Sequence, residues 1–327
     1  MSIILSLVGS PRKEGSSERL LRLLLEEIEG RPFLNRIVHV SDFNISPCQG
    51  CRFCEEKGYC RIKDDMEQLY FLFGESDLIL IATPIFFYNF PAQFKALIDR
   101  MQTLWARKYR LGLNDPKRDK RYAFIVAVGA TKGKNLFLGL ELTAKYFLDA
   151  VGAKLFGLWG LRGVDKPQDI FNFPESLEEL RDRAKGLIET LSKKKRILFL
   201  CRENACRSQM AEAFFQLYGG DQFEALSAGD KPASQVNPKA IEVMAEQGLD
   251  IFYRKPKNLN NLLGLAPFDW IVTMGCEINC PVVPAKKRVE WQIEDPSHGS
   301  LQKFREVRDK IHEKVKELME VVKNERA

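Results

Sequence analysis

The sequence lacks any apolar run long enough to cross a membrane, and it lacks a recognisable signal peptide. A membrane-spanning helix needs about 20 consecutive apolar residues. The opening SIILSLV is too short for such a helix, and no basic residues precede it. We therefore expect this segment to be a first buried strand, and the protein to work in the cytoplasm without a membrane partner.

Clustered positive charge is also missing. The formal net charge is +6, but the 50 lysines and arginines are spread along the 327 residues. Nucleic-acid-binding proteins gather basic residues on one face, so this distribution argues against nucleic acid as a partner and favours a small anionic substrate. The densest basic stretch, residues 107 to 121, is interpreted as a solvated loop, with a clamp for a cofactor phosphate as the alternative.

The eight cysteines are grouped rather than scattered. They fall into three sets along a chain without an export signal: Cys48, Cys51, Cys54 and Cys60; Cys201 and Cys206; Cys276 and Cys280. Disulfide frameworks belong to small secreted domains, whereas tight cysteine groups in a large intracellular chain indicate metal binding or redox chemistry. We expect one of these two chemistries.

Apolar runs that alternate with helical patterns occupy both halves of the chain. Ile3 to Val8, Leu78 to Ala82 and Tyr122 to Val128 are examples from the first half, and the pattern restarts at Arg196. Such alternation predicts parallel sheets covered by helices on both faces. We predict an α/β protein of two doubly wound parallel-sheet domains, residues 1–192 and 196–327, joined by a short solvated segment.

The stretch CRENACRSQMAEAF, residues 201 to 214, lies between a predicted strand and a predicted helix. At that position backbone N–H groups, the helix dipole and the Arg207 guanidinium would converge on the Cys201 thiol and on an oxyanion above it. We expect a lowered pKa that makes Cys201 a nucleophile near neutral pH. Ser208 would donate a hydrogen bond to the thiolate and act as the helix N-cap.

These residues resemble the anion loop of the low-molecular-weight protein tyrosine phosphatases and of the thioredoxin-coupled arsenate reductases that share their fold. The resemblance covers about residues 196 to 322 and implies that fold for the second domain. CRSQMAE matches the reductases, whereas Asp295-Pro296 resembles the general-acid loop of the phosphatases. The reductase resemblance implies that Cys201 attacks arsenate, Cys276 resolves the adduct, and Cys280 carries the disulfide to a thiol reductant such as thioredoxin. Cys206 is either a backup thiol or loop filler.

Two stretches of the first half resemble the NAD(P)H-dependent FMN reductases of flavodoxin-like fold. The first, GSPRKEGSS, would follow a strand and open a helix, as a phosphate site does, and the second is TPIFFYNFPAQFKALIDR. The resemblance implies that FMN binds here and that NAD(P)H donates electrons, and such reductases are often homo-oligomers. The implied residues are Ser10, Arg12, Ser16 and Ser17 for the phosphate, Thr83, Pro84, Ile85, Phe86 and Phe87 under the ring, and a loop starting at Gly129 that closes the site.

The segment CQGCRFCEEKGYC holds four cysteines, Cys48, Cys51, Cys54 and Cys60, close enough in sequence to reach one cluster. It resembles the motif of iron-sulfur flavoproteins, a branch of the same reductase group, which implies a [4Fe-4S] cluster. Zinc and free thiols remain alternatives.

Together these patterns predict a bifunctional flavoprotein and arsenate reductase in which electrons pass from NAD(P)H through FMN to a disulfide. One alternative is a phosphatase fused to an FMN reductase, since ester hydrolysis needs only one thiol and one acid. The other is a redox or oxyanion sensor that binds but barely turns over.

Overall fold

The computed structural model describes residues 3–31, 33–192, 194–275 and 283–325. The chain divides into two compact units, one of Ser2–Gly112 with Arg118–Ser192 and one of Leu113–Lys117 with Lys193–Ala327. Within the second unit, the backbone of Asn114 pairs with residues 248–250, because its N–H donates to Gly248 O (2.8 Å) and its carbonyl accepts from Asp250 N–H (2.9 Å). Each unit is built around one parallel sheet, so the predicted fold class is confirmed.

The first unit alternates strands and helices in the predicted manner. Its elements are β1 (Ile3–Val8), α1 (Ser16–Glu26), β2 (Leu34–His39), α2 (Phe53–Lys57), α3 (Met66–Glu75), β3 (Leu78–Pro84), α4 (Ala92–Arg100), α5 (Gln102–Tyr109), β4 (Arg121–Gly129), α6 (Leu138–Val151), β5 (Ala153–Arg162) and α7 (Pro174–Ser192).

The sheet of the first unit has the strand order β2-β1-β3-β4-β5, and every pairing is parallel. This is the flavodoxin-like order, whose switch point lies between β1 and β3. β1, β3 and β4 are almost continuously apolar and buried, as central strands covered on both faces must be. One face packs against leucines of α1 and α7, among them Leu20, Leu24, Leu180 and Leu187.

The second unit has a smaller parallel sheet with the order β7-β6-β8-β9. Its switch point lies between β6 and β8, so the segments that follow these two strands leave the same sheet edge. Its elements are β6 (Lys195–Leu200), α8 (Arg207–Gly219), β7 (Phe223–Ala228), α9 (Pro238–Ala245), β8 (Phe268–Thr273), β9 (Ala285–Glu290) and α10 (Leu301–Asn324).

The core of the second unit lies between its sheet and the helices α8, α9 and α10. α10 buries Phe304, Val307, Ile311, Val315 and Leu318, spaced three or four residues apart, which is the stripe of an amphipathic helix. Charged residues cover its outer face. Within the described ranges, no helix is both long and apolar enough to span a bilayer.

The basic stretch at residues 107 to 121 differs from the predicted solvated loop. Arg107, Lys117 and Arg121 are buried. The Arg121 guanidinium donates to the carbonyls of Ser76 (2.9 Å) and Gly74 (3.1 Å), so it satisfies backbone acceptors that burial would otherwise leave unpaired. The stretch therefore has a structural role that charge counting could not reveal.

Candidate active site and cofactor sites

Cys201 lies where the prediction placed it, directly after β6 at the switch point of the second sheet. Its side chain is buried, with 3% of its surface exposed. The loop 201–206 follows, and α8 begins at Arg207 with Cys206 as its N-cap. Ser208 is therefore inside the helix, and its predicted N-cap role is wrong, which leaves its hydroxyl free for the thiol.

The loop around Cys201 is held in place by the segment that follows β7. Asn204 has a left-handed backbone (φ 49°). Gly229 lies so close to the loop that a Cβ there would approach Arg202 O to 2.4 Å. Loop carbonyls are bound from outside, in the pairs Lys231 N to Arg202 O, Ala233 N to Glu203 O and Asn237 N to Ala205 O. With these carbonyls turned outward, the N–H groups of the loop and of α8 are turned toward the sulfur, and those of Asn204 and Ser208 interact with it.

A chain of hydrogen bonds reaches the Cys201 sulfur through Ser208. The Ser208 Oγ lies 2.9 Å from the Cys201 Sγ, and the Asn204 Nδ2 donates to the same oxygen (2.8 Å). The Asn204 amide cannot be reversed, because its Oδ1 accepts from the backbone N–H of Lys257 (2.7 Å). Ser208 accepts from Asn204 and can give its own proton to the sulfur; once Cys201 is a thiolate, which only accepts, the bond runs from Ser208 to Cys201.

The far end of this chain is a buried carboxylate, Glu212. The second Nδ2 proton of Asn204 goes to Ser227 Oγ (2.9 Å), and Ser227 donates to Glu212 Oε2 (2.5 Å). Burial opposes the charge of Glu212, yet Lys257 (3.4 Å) and Arg254 (3.6 Å) hold its pKa below the usual range. Because an ionised carboxylate only accepts hydrogen bonds, Glu212 fixes Ser227 as a donor, and the Ser227 oxygen in turn accepts from Asn204, whose amide is oriented by Lys257.

The ionisation of Cys201 differs from the prediction. Burial raises the pKa of Cys201, while the Ser208 hydrogen bond and the charge of Arg207 act in the opposite direction. The Arg207 guanidinium also has other partners: it donates to the carbonyls of Met274 (3.2 Å) and Ile293 (3.0 Å) and to Asp295 Oδ2 (2.5 Å). Burial is the largest of the effects on the thiol, so the pKa of Cys201 is raised.

Asp295 forms an ion pair with Arg207 at the edge of the same site, and 46% of its side chain is exposed. Its Oδ1 accepts from the Ser297 backbone N–H (3.0 Å), which fixes the carboxylate. Cys206 is buried 4.0 Å from Ser297 Oγ, and burial raises the pKa of its thiol to about 12. Cys276 and Cys280 lie outside the described residues.

A cavity of about 140 Å³ opens at the switch point of the first sheet. It brings together Ser10, Arg12, Ser16 and Ser17 with Pro84, Ile85 and Phe86, all predicted from sequence. Ala130 also lines it and belongs to the loop 129–133 that was expected to close the site. Sequence reasoning missed Lys13, Val128, Val164, Asp165 and Pro167; the last three come from the segment after β5, which carries no motif. Three predicted residues do not line it: Thr83 is buried, Phe87 is fully exposed, and Gly129 packs against Leu136.

This cavity fits the phosphate of a flavin mononucleotide. Arg12 and Lys13 supply positive charge, and Ser16 and Ser17 supply hydroxyls at the start of α1. The N-cap of α1 is Gly15, which has no side chain to cap the helix. The first N–H groups of the helix are therefore available to an anion.

A second cavity in the first unit, about 490 Å³ in volume, is lined by Cys48, Cys51, Cys54 and Cys60. Cys54 is the buried member, and burial together with the neighbouring thiols raises the pKa of Cys54. No three Cys, His, Asp or Glu side chains of the described residues approach closely enough to hold a metal ion. Four cysteines on one cavity are nevertheless the donor set that an iron-sulfur cluster or a zinc ion uses.

The fold and the sites define an α/β protein of two units. One unit has a thiol loop suited to an oxyanion. The other has a cavity suited to a flavin phosphate and a second cavity lined by cysteines. Residues 196–327 match the family model "Low molecular weight phosphotyrosine protein phosphatase", and residues 3–150 match "NADPH-dependent FMN reductase".

Individual relatives agree with the two family models. The chain is 39% identical over 127 residues to Arsenate reductase 2 of Staphylococcus saprophyticus, which covers 38% of this chain and 95% of that protein. It is 42% identical over 95 residues to the Iron-sulfur flavoprotein of Archaeoglobus fulgidus, which covers 29% of this chain and 43% of that protein, less than half its length. A solved arsenate reductase in the phosphate binding state shares 34% identity, with coverage of 38% of this chain and 96% of that chain and a TM-score of 0.35.

Through its second half the chain belongs to the arsenate reductases related to the low-molecular-weight phosphatases. Its first half matches the FMN reductase model and is similar to part of the iron-sulfur flavoprotein of Archaeoglobus fulgidus.

Proposed function

We propose that the second unit reduces arsenate to arsenite with Cys201 as the nucleophile, and that the first unit supplies the electrons from NAD(P)H. The observation that carries this proposal is the set of donors at Cys201: the Ser208 hydroxyl lies 2.9 Å from the sulfur, and the backbone N–H groups of Asn204 and Ser208 interact with it. These donors stabilise the negative charge of the sulfur once its proton is lost.

In the proposed reaction the Cys201 thiolate attacks arsenic(V), a sulfur–arsenic bond forms, and one arsenate oxygen leaves as water. The Cys276 thiolate then attacks the Cys201 sulfur. A disulfide forms, the sulfur–arsenic bond breaks, and its electron pair stays with arsenic, which leaves as arsenite. Cys280 next attacks Cys276, which frees Cys201 and leaves a Cys276–Cys280 disulfide. The roles of the last two cysteines rest on the family resemblance and not on described coordinates.

Residues of the first unit would hold the cofactor that reopens this disulfide. Arg12, Lys13, Ser16 and Ser17 would bind the FMN phosphate, and Pro84 to Phe86 would line the ring site. FMN, when bound, supplies hydride acceptance from NAD(P)H and electron transfer to a disulfide. Thioredoxin or a similar thiol reductant is the alternative source of electrons.

The test is anaerobic incubation of the purified, FMN-loaded chain with NADPH and arsenate in the absence of thioredoxin. We expect arsenite to form in proportion to the NADPH consumed, and to vanish in a Cys201→Ser variant. No arsenite above the level of that variant would refute the internal electron source. Arsenite that appears only after thioredoxin and its reductase are added would refute it too, while supporting arsenate reduction at Cys201.

Asp295 favours a second candidate function, hydrolysis of a phosphate ester. A phosphatase needs a thiol nucleophile and a nearby acid to protonate the leaving group, and Asp295 stands at the Arg207 guanidinium. This function predicts turnover of p-nitrophenyl phosphate that falls in Cys201→Ser and Asp295→Asn and survives the Cys276→Ser/Cys280→Ser double variant. If the double variant abolishes turnover, hydrolysis is not the function.

We also propose that the four-cysteine cavity holds a [4Fe-4S] cluster, which supplies one-electron transfer when bound. The four thiols that line the cavity support this assignment. An absorption spectrum of anaerobically purified protein, combined with iron and sulfide analysis, tests it: a broad iron-sulfur absorption beside the flavin bands is expected. Zinc in place of iron would refute it.

A homo-oligomer formed through the first unit is a further part of the proposal. Leu138, Leu142 and Tyr146 are spaced four residues apart on one face of α6 and are 59–66% exposed. An apolar stripe of this kind indicates an association surface. Sedimentation of the wild-type chain and of Leu142→Glu at equal concentration tests it, with dissociation expected only in the variant; a monomeric wild type would contradict it.

A further inference from the structure

Both ends of the segment that carries the four cysteines meet at one buried side chain, Arg100. Arg100 is the last residue of α4 and is 1% exposed. Its guanidinium donates to Ser46 O (2.8 Å), two residues before Cys48, and to Ile62 O (3.3 Å), two residues after Cys60. A single residue of a neighbouring helix therefore binds the chain on both sides of all four thiols.

An ion pair reinforces this closure. Asp64 receives two hydrogen bonds from Arg100, at 2.7 Å and 3.1 Å, a bidentate arrangement that fixes both groups. The same carboxylate accepts from the backbone N–H groups of Ser46 (2.9 Å) and Met66 (3.1 Å). Because the pair is 1% and 4% exposed, water competes little for these bonds.

The helix that follows binds the middle of the segment. Arg107, on α5, donates to Gly58 O (2.7 Å), and the Cys54 thiol contacts Gln102 O (3.9 Å). These contacts hold the cysteine segment through backbone atoms and one thiol. The other three thiols are thereby left around the cavity instead of being used to hold the segment.

One N–H of Arg100 has no acceptor in the described part of the chain. Four guanidinium donors are used by Ser46, Ile62 and Asp64, whereas the buried Nε has no partner there. Arg100 also lines the cysteine cavity. Arg100 therefore adjoins the cavity as well as holding the segment that surrounds it.

We propose that Arg100 is the positioning residue of the cofactor site formed by Cys48, Cys51, Cys54 and Cys60: by binding the chain on both sides of the four thiols, it keeps the site formed before an iron-sulfur group is bound. The pair with Asp64 has no net charge, so the effect is on geometry and hydrogen bonding. This inference rests on the proposed cluster and is independent of the proposed arsenate reduction.

The experiment uses the full chain, reconstituted anaerobically with ferrous iron and sulfide, and compares wild type, Arg100→Lys and Arg61→Lys. Arg61 lines the same cavity but is exposed, which makes it a matched control. Retention of iron is measured against a competing chelator, and the reduced cluster is recorded by electron paramagnetic resonance. FMN content and thermal midpoint report on the rest of the first unit.

Arg100→Lys is expected to bind iron about 10- to 100-fold more weakly, the range found when a residue that supports metal ligands is lost, with an altered resonance spectrum and unchanged FMN content. Arg61→Lys should match wild type. Equal iron retention in Arg100→Lys and wild type would overturn the proposal, and so would a wild type that takes up no iron. Neither result touches arsenate reduction, which is assayed separately with an external thiol.

A second variant covers the case in which Arg100→Lys does not fold. Asp64→Asn preserves shape and keeps Arg100, yet it weakens the bidentate pair that closes the segment. This variant should also bind iron more weakly than wild type, with a smaller change than in Arg100→Lys. Iron retention equal to wild type in a folded Asp64→Asn variant would count against the clamp.

Discussion

Two cysteine loops among the described residues hold their thiols in different ways. In the second unit, loop 201–206 buries the Cys201 sulfur and places the Ser208 hydroxyl on it through a hydrogen-bond chain of Asn204, Ser227 and Glu212. In the first unit, the segment that carries Cys48 to Cys60 is held by backbone contacts to Arg100 and Arg107, and Cys48 and Cys51 are exposed. In the second unit, side-chain hydrogen bonds act on one thiol. In the first unit, hydrogen bonds to the backbone hold the segment and leave several thiols around one cavity.

The comparison shows that the contacts which hold a cysteine loop indicate its chemistry better than the number of its cysteines does. A nucleophile needs donors that favour its anion, whereas ligands of a cluster need a fixed frame and free sulfurs. Each loop also depends on one buried carboxylate with cationic partners, Glu212 in one case and Asp64 in the other, whose pKa is held low despite burial.

The largest expected difference between the loops is in arsenate reduction. Cys201→Ser should lower turnover by at least about 10³-fold, because removal of a nucleophile leaves only the catalysis due to binding. Cys51→Ser should leave turnover unchanged when an external thiol reductant replaces the first unit. Arsenite production under saturating thiol is the measurement. Equal losses in the two variants would contradict the division of roles.

Next is the loss of a buried carboxylate. Glu212→Gln should destabilise the second unit by about 3–5 kcal/mol at neutral pH, because Lys257 and Arg254 lose their counter-charge. The pKa of Glu212 is lowered in the fold, so its contribution is present above the unfolded value near 4.5 and is lost as pH falls through the lower folded value. Chemical denaturation at several pH values should show the gap between variant and wild type narrowing in acid.

Asp64→Asn is the matched change in the first unit, and it sharpens the comparison. Both variants should be less stable, yet only Glu212→Gln should slow alkylation of Cys201, because only Glu212 belongs to the hydrogen-bond chain that reaches this sulfur. Slower Cys201 alkylation in Asp64→Asn would show that the two loops are not independent.

A smaller effect is expected from glycines that touch the loops. Gly229→Ala places a methyl group 2.4 Å from Arg202 O, so the loop has to shift, at a cost of about 1–3 kcal/mol and with lower oxyanion affinity. Gly50→Ala meets nothing within 4 Å and adds only the strain of its positive φ. Phosphate affinity by calorimetry should fall in Gly229→Ala alone, and equal affinities would contradict the packing argument.

The smallest predicted change concerns one hydroxyl. Ser208→Ala removes a donor to the Cys201 sulfur, which raises the thiol pKa further and lowers its alkylation rate at neutral pH by about tenfold. The rates for Cys48 and Cys51 should not change. The pH dependence of iodoacetamide labelling, followed peptide by peptide, measures all three thiols at once. An unshifted Cys201 profile would remove Ser208 from the account.

Local spacing was enough to predict the fold class and the contact between Cys201 and Ser208, since strand, loop and helix follow each other within a dozen residues. The partners that orient Asn204 in the same hydrogen-bond chain are remote: Ser227 and Lys257 lie 23 and 53 residues from Asn204. No spacing reports such contacts, and the same holds for Arg100, 54 residues from Ser46.

Errors of prediction also had local causes. The N-cap lies two residues earlier than expected, at Cys206 instead of Ser208. The pKa of Cys201 was expected to fall, but burial of the thiol raises it. The Phe-rich run turns sharply at Phe87 (φ 47°), which leaves that ring exposed, and its place at the flavin ring stays a prediction.

The central claim is that Cys201, and none of the cysteines of the first unit, meets the oxyanion. The most direct measurement is iodoacetamide labelling of each cysteine, read by peptide mass spectrometry, with and without saturating inorganic phosphate as a non-reducible substitute for arsenate. Phosphate should protect Cys201 and leave Cys48 and Cys51 labelled as before. Labelling of Cys201 that phosphate does not change would contradict the account.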